Sequence, residues 1–168
     1  SDLDLPQSKS KKIYTSNHEI QANEYVYVDD KLNIKVGEDA FGIPVKDIKT
    51  HLIGIHNIYN IGIALCACKV VGVDYIDALK AVETFGGLEH RLEYVGEVNK
   101  VKFYNDSICT IPAATIAAVN CFSKVDTLLL GGMDRGISYD ELVEWIYTSS
   151  VDNFIKRLQK QNLANVSP

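Results

Sequence analysis

The stretch FYNDSICTIP, residues 103–112, ends a run of β-forming residues in Asn105, Asp106 and Ser107, adds Thr110, and arrives at Pro112, a residue type that opens helices. A carboxylate at a strand end can hold a ribose hydroxyl or a metal-bound water. Two hydroxyls and the free N–H groups of a starting helix suit an anion. The chemistry this spacing suggests is the holding of a ribose hydroxyl or a metal-bound water by Asp106 and of an anionic substrate by Ser107, Thr110 and the helix start. A plainer reading stands beside it: Thr110 as N-cap with Pro112 in the first turn, which needs no ligand.

Two other sets carry comparable weight. His90 and Arg91 form a basic pair just after Gly86 and Gly87, where a guanidinium at a joint between segments can grip a phosphate bidentately. A linker arginine can equally be a solvated surface residue. Asn57 and Asn60 stand at i and i+3 near a helix start, so they share a face and can read the edge of a base such as adenine. Alternatively, Asn57 caps its own helix.

Other stretches yield no site. LLLGGMDRG lacks the Gly-x-Gly-x-x-Gly spacing, and no Gly-Lys-Ser/Thr follows it, so it is not a phosphate loop. His18, His51 and His56 have no partner at metal-ligand or triad spacing. Cysteines stand at 66, 68, 109 and 121; Cys66 and Cys68 fall in an apolar helical run where a Cys-x-Cys pair points to different faces, which favours reduced thiols over a metal site. No residue is assigned as a nucleophile or a metal ligand.

The elements that must position these groups follow from periodicity. The polar residues 1–12 read as loop. EYVYVDDKLNIKV alternates on either side of Asp29 and Asp30, a hairpin signal, and AFGIPV is a further short strand. From His56 or Asn57, apolar residues recur at three and four as far as Gly72, which predicts an amphipathic helix. DYIDALKAVETF predicts a second, capped by Asp74. After Gly86 and Gly87 the rhythm changes: LEYVGEVNKVKFYN reads as two strands and a turn, IPAATIAAVNCF as a helix, DTLLLGG as a buried strand, and SYDELVEWIYTS as a helix with Ser138 and Glu141 as a capping box. This strand–helix alternation predicts an α/β fold with a parallel sheet and right-handed crossovers. Asp106 and the Gly131 to Gly136 turn would then face one crevice at the carboxyl ends of the strands. The expected border separates residues 1–87 from 88–168.

Composition limits the partners. With 168 residues, 46% hydrophobic and 23% charged, the chain can bury a core. A net charge of -5 without a Lys/Arg-rich block argues against a nucleic-acid surface. No apolar run approaches the roughly 20 residues needed to span a bilayer, and no secretory signal is evident. We expect no membrane partner and a cytoplasmic location.

Taken in order, GIHNIYNIGIALCAC, FGGLEHRLEYV, FYNDSICTIPAATIAAV and LLLGGMDRGISYDEL resemble the Mur ligases, from about Val26 to about Ser149. The Asp-Ser-x-x-Thr-x-Pro pattern favours the D-glutamate-adding branch; folylpolyglutamate synthases are similar in fold but are not expected to show His-Arg-Leu-Glu. The resemblance implies that residues 1–87 end the central ATPase domain and residues 88–168 begin a Rossmann-like C-terminal domain. It implies adenine contacts for Asn57 and Asn60, phosphate contacts for Arg91, a nucleotide contact for Asp106, and D-glutamate carboxylate contacts for Ser107 and Thr110. The implied reaction is ATP- and Mg-dependent ligation of D-glutamate to UDP-N-acetylmuramoyl-L-alanine through an acyl phosphate, in peptidoglycan precursor synthesis. Two departures accompany it. Ile108 stands where one branch of the family has a glutamate-binding lysine, and no P-loop is present, so we expect a portion of a longer enzyme that is inactive alone. The alternatives are a non-catalytic nucleotide-binding or interaction module of the same descent, or a folylpolyglutamate synthase-like ligase.

Overall fold

The computed structural model describes residues 12–16, 18–132 and 136–158, with side chains as far as 155. The chain divides into two compact units, Ser1–Gly87 and Leu88–Pro168.

The first unit is a four-stranded sheet covered on one face by helices. Its strands are β1 (Tyr14–Ser16), β2 (Tyr25–Val28), β3 (Lys31–Val36) and β4 (Asp39–Pro44), in the order 1-2-3-4. β1 runs parallel to β2, and β2, β3 and β4 form an antiparallel meander. The alternation seen in sequence sets the faces: Val26 and Val28 of β2 pair with Ile34 and Leu32 of β3, and all four are buried. Asp29 holds the hairpin turn, its Oδ1 accepting from the Lys31 N–H at 2.7 Å and from Asn33 Nδ2 at 3.0 Å. Those bonds keep the Asp29 carboxyl below its ordinary range, the backbone bond from Lys31 contributing most.

Helix α1 (Ile55–Val70) lies over β2 and β3, and α2 (Tyr75–Thr84) packs against α1. Ile58, Ile61 and Leu65 recur at three and four and, with the adjacent Cys66, fill the core with Leu32, Ile34 and Val36. Gly62 sits between them for a steric reason. A Cβ there would come within 2.6 Å of both Leu32 Cδ1 and Val26 Cγ1, so the missing side chain is what lets the helix backbone approach the sheet. Asp74 caps α2 as its type predicts, accepting from the Ile76 N–H at 2.8 Å.

All four cysteines are free, Cys66 buried and the others half-buried. Burial pushes the Cys66 thiol up to about 11, with Glu24 adding a smaller push in the same direction. Because the thiolate is the reactive form, iodoacetamide near neutral pH is expected to leave Cys66 unmodified in the native chain and to label it only in denaturant. Peptide mass mapping of the two samples checks this. Native-state labelling of Cys66 would mean that α1 does not pack as described.

The second unit contains β5 (Glu93–Val98), β6 (Val101–Asn105), α3 (Pro112–Val119), β7 (Thr127–Gly132), α4 (Asp140–Thr148) and β8 (Asn153–Leu158). β5 and β6 form an antiparallel hairpin with an irregularity between Tyr94 and Gly96, turning through Asn99 and Lys100 at φ 51 and 68. β7 and β8 pair in parallel with α4 between them in the chain, the strand–helix–strand unit expected of an α/β fold. The expectation of a single parallel sheet is corrected in one respect: β6 pairs with β5 and not with β7, so the two strand ends expected to share a crevice belong to different sheets. The Gly131 to Gly136 turn runs through residues 133–135, outside the described residues.

Three local expectations also change. DTLLLGG forms β7 but is not buried throughout: Leu129 is 70% exposed and its cross-strand partner Ile155 55%, because the described sheet has only one neighbour for β7. The N-cap of α3 is Ile111 without a side-chain bond, not Thr110. Ser138 does not cap α4 as half of a box; its Oγ donates to Asp140 Oδ2 at 2.7 Å and accepts from the Asp140 N–H at 3.1 Å, and Tyr139 takes the cap position.

Candidate functional site

Most of the residues singled out by chemistry meet at the start of the second unit, where residues 88–92 pass beside the end of β6. Both His90 and Leu92 adopt left-handed backbone conformations, at φ 64 and 46. For residues with a Cβ each costs about 1–2 kcal/mol, so something must hold them. Asp106 Oδ1 accepts the Leu92 N–H at 3.1 Å, Glu93 Oε2 accepts the His90 N–H at 2.8 Å, and the His90 carbonyl accepts the Ile108 N–H at 3.3 Å. The Asn105 amide joins the His90 ring at 2.8 Å and accepts the Ser107 N–H at 3.1 Å. This strap is tied to the β6 end at three points.

Its consequence is the placement of Arg91. Flanked by two left-handed residues, the Arg91 side chain is exposed, and among the described residues it makes no ion pair or hydrogen bond. A guanidinium held out on a fixed backbone is a ready partner for an anion with paired oxygens.

Asp106 therefore does structural work with one oxygen and is half-buried, while Ser107 and Thr110 are exposed. Its charge is felt locally: burial first, and the Asp106 carboxylate second, push the Cys121 thiol up. The turn differs from the sequence expectation in its donors. The amides of Ser107, Ile108 and Cys109 are each committed, to Asn105 Oδ1, the His90 carbonyl and the Asp106 carbonyl, the last at 2.9 Å. An anion at this turn would meet the Ser107 and Thr110 hydroxyls and the start of α3, not those three amides. Ile108 is 59% exposed and contributes its backbone bond to the strap.

Asn57 and Asn60 lie in the first unit, at the start of α1. The N-cap of that helix is Gly54, at φ 94, so Asn57 is not the cap. Its Nδ2 donates to the Ile53 carbonyl at 2.7 Å, and its Oδ1 accepts from Asn60 Nδ2 at 3.2 Å. Asn57 thus orients Asn60, which is exposed and keeps its own Oδ1 and one N–H for a planar ligand edge. Among the described residues no group of three His, Cys, Asp or Glu is placed to hold a metal ion, and no helix is long and apolar enough to cross a membrane.

Sequence reasoning placed these residues but missed the parts played by Asn105, Glu93 and Leu92. No local signal marks a bond such as Leu92 N–H to Asp106, which joins residues far apart in the chain; Asn105 beside Asp106 was the one visible hint.

No family model matches the chain. Among curated proteins, it is 40% identical over 134 residues to the UDP-N-acetylmuramoylalanine–D-glutamate ligase of Macrococcus caseolyticus, across 80% of this chain and 29% of that one. The ligases of the same name from Staphylococcus aureus and Streptococcus suis are each 36% identical, over 147 and 142 residues, across 86% and 82% of this chain. The chain thus spans about three tenths of the length of these relatives, 29% to 31%. A solved structure, a pseudomurein peptide ligase type C from Methanothermus fervidus, superposes with a TM-score of 0.55 at 18% identity, covering 82% of this chain and 27% of that one. That likeness concerns the fold.

Proposed function

This chain belongs to the Mur ligase family, and from that premise we propose that it carries the segment in which a D-glutamate-adding ligase holds its nucleotide and its incoming amino acid. The observation that carries the reading is the 40% identity to the Macrococcus caseolyticus D-glutamate ligase over 134 residues. The whole enzyme would ligate D-glutamate to UDP-N-acetylmuramoyl-L-alanine in the cytoplasm. ATP would supply the phosphoryl group that activates the carboxylate, and Mg ions, held mainly by other parts of the enzyme, would offset phosphate charge.

The work of this segment is positioning. In the first unit, Asn57 aims Asn60, whose exposed amide offers one donor and one acceptor to the edge of adenine. Arg91, exposed on its strap, offers a guanidinium to phosphate oxygens. Asp106 keeps the strap against the β6 end with one oxygen and has the other for the nucleotide. Ser107 and Thr110 offer hydroxyls to the two carboxylates of D-glutamate, and the N-terminal end of α3 adds a favourable dipole. A neighbouring segment must supply the phosphate cradle, so this chain alone is expected to turn over no ATP.

The test is a graft of this chain in place of the matching segment of the Macrococcus caseolyticus ligase, assayed for phosphate release. Release that requires both D-glutamate and UDP-N-acetylmuramoyl-L-alanine is expected. A folded graft that uses another amino acid would overturn the substrate assignment. One that binds Mg-ATP without ligating would favour a non-catalytic nucleotide module.

A further inference from the structure

The hydrogen bonds around Asn105 fix the protonation pattern of its neighbour. A backbone N–H can only donate, so the Asn105 atom that faces the Ser107 amide at 3.1 Å is the carbonyl oxygen. The NH₂ group is thereby turned toward His90 Nδ1, 2.8 Å away. An amide NH₂ also can only donate. His90 Nδ1 must therefore be the acceptor, and in the neutral ring the proton resides on Nε2.

Glu93 is the group that would oppose this arrangement, since a carboxylate prefers to face an Nδ1–H. Its Oε2 lies 3.6 Å from Nδ1, beyond hydrogen-bond length, and already accepts the His90 backbone N–H at 2.8 Å. The shorter contact, from Asn105, decides the tautomer. The side chain of His90 is 56% exposed, and its Nε2 has no partner among the described residues.

We propose that Asn105 is a positioning residue that holds His90 in its Nε2–H tautomer, so that the strap presents a neutral N–H donor, beside the Arg91 guanidinium, to an acceptor oxygen of the bound nucleotide. The tautomer rests on the hydrogen bonds alone; its ligand rests on the nucleotide reading above. His90 is then a hydrogen-bond donor in this site and not a proton-accepting base. Asn105 serves two functions with one amide, closing the turn at Ser107 and selecting the ring nitrogen that faces outward.

Long-range proton–nitrogen NMR correlation of the His90 ring, at a pH where the ring is neutral, tests the proposal on this chain. The wild-type ring should show the Nε2–H pattern. In Asn105→Asp the carboxylate still accepts the Ser107 N–H but now also accepts from the ring, so the pattern should switch to Nδ1–H. An Nδ1–H pattern in the wild type overturns the proposal even if the variant fails to fold, as does a folded Asn105→Asp chain with the wild-type pattern. Adding Mg-ATP to the grafted ligase, which carries the phosphate cradle, separates the two parts. A shifted Nε2 resonance ties the donor to the nucleotide, whereas an unshifted one leaves the tautomer standing and removes the nucleotide from this strap.

Discussion

Leu32→Ala is expected to destabilise the first unit by about 2–5 kcal/mol, the range for removing a fully buried leucine from a core that cannot collapse around the gap. Leu32 is 0% exposed and packs where α1 crosses the sheet beside Val26, Ile34 and Leu65. The helix cannot close the cavity by moving inward, since at Gly62 its backbone already lies against the sheet. The same contact makes a second substitution informative. Gly62→Ala should gain about 1 kcal/mol of helix propensity, but the new Cβ would meet Leu32 Cδ1 and Val26 Cγ1 at 2.6 Å. Val26 is β-branched and buried and has few rotamers to retreat into, so overpacking, at about 1–3 kcal/mol, outweighs propensity. In the Leu32→Ala background half of that clash is gone and the methyl group enters the cavity. Gly62→Ala should then become neutral or stabilising. Urea titrations read at the methyl signals of Ile58, Ile61 and Leu65 for the four chains of this cycle give the coupling directly. Additive effects would mean that α1 does not approach the sheet at Gly62.

The parts of the fold legible in sequence were those where one local rule decides the outcome. Alternation on either side of Asp29 gave the β2–β3 hairpin, a three-four repeat gave α1, and an aspartate before an apolar run gave the α2 cap. The failures occurred where a distant partner decides. β1 is only Tyr14–Ser16, formed by pairing with β2, and β8 is formed by its parallel pairing with β7. Thr110 and Ser138 have the chemistry of caps but not the geometry: the Ser138 hydroxyl is spent on Asp140, and α3 starts one residue later than a Thr110 cap requires. Leu129 reads as core because three leucines stand together, yet its exposure depends on how many strands flank β7, which no local pattern encodes. The site divides along the same line. Residue types at Asn57, Arg91 and Asp106 suggested ligand chemistry, whereas the left-handed backbone at His90 and Leu92 became visible only with the bonds that stabilise it.

Arg91→Ala in the grafted ligase should raise the KM for ATP and lower kcat/KM by about 10- to 100-fold. A charged hydrogen bond contributes roughly 1.5–3 kcal/mol, and each 1.4 kcal/mol is about a tenfold change. The effect should be kinetic and not structural, because the guanidinium is exposed and holds no protein partner among the described residues, while the strap is fixed by His90, Leu92 and Asp106. Urea stability of the variant should therefore stay within about 0.5 kcal/mol of the parent, as for most surface substitutions. Arg91→Lys distinguishes two ways in which the residue can act. A lysine keeps the charge but loses the planar fork, so near-complete recovery would indicate simple charge compensation, and partial recovery a bidentate grip on phosphate. The solvated-linker reading makes a different prediction, with both variants kinetically indistinguishable from the parent. In that case the left-handed strap would serve only to close the β6 end, and the nucleotide phosphates would have to be held elsewhere.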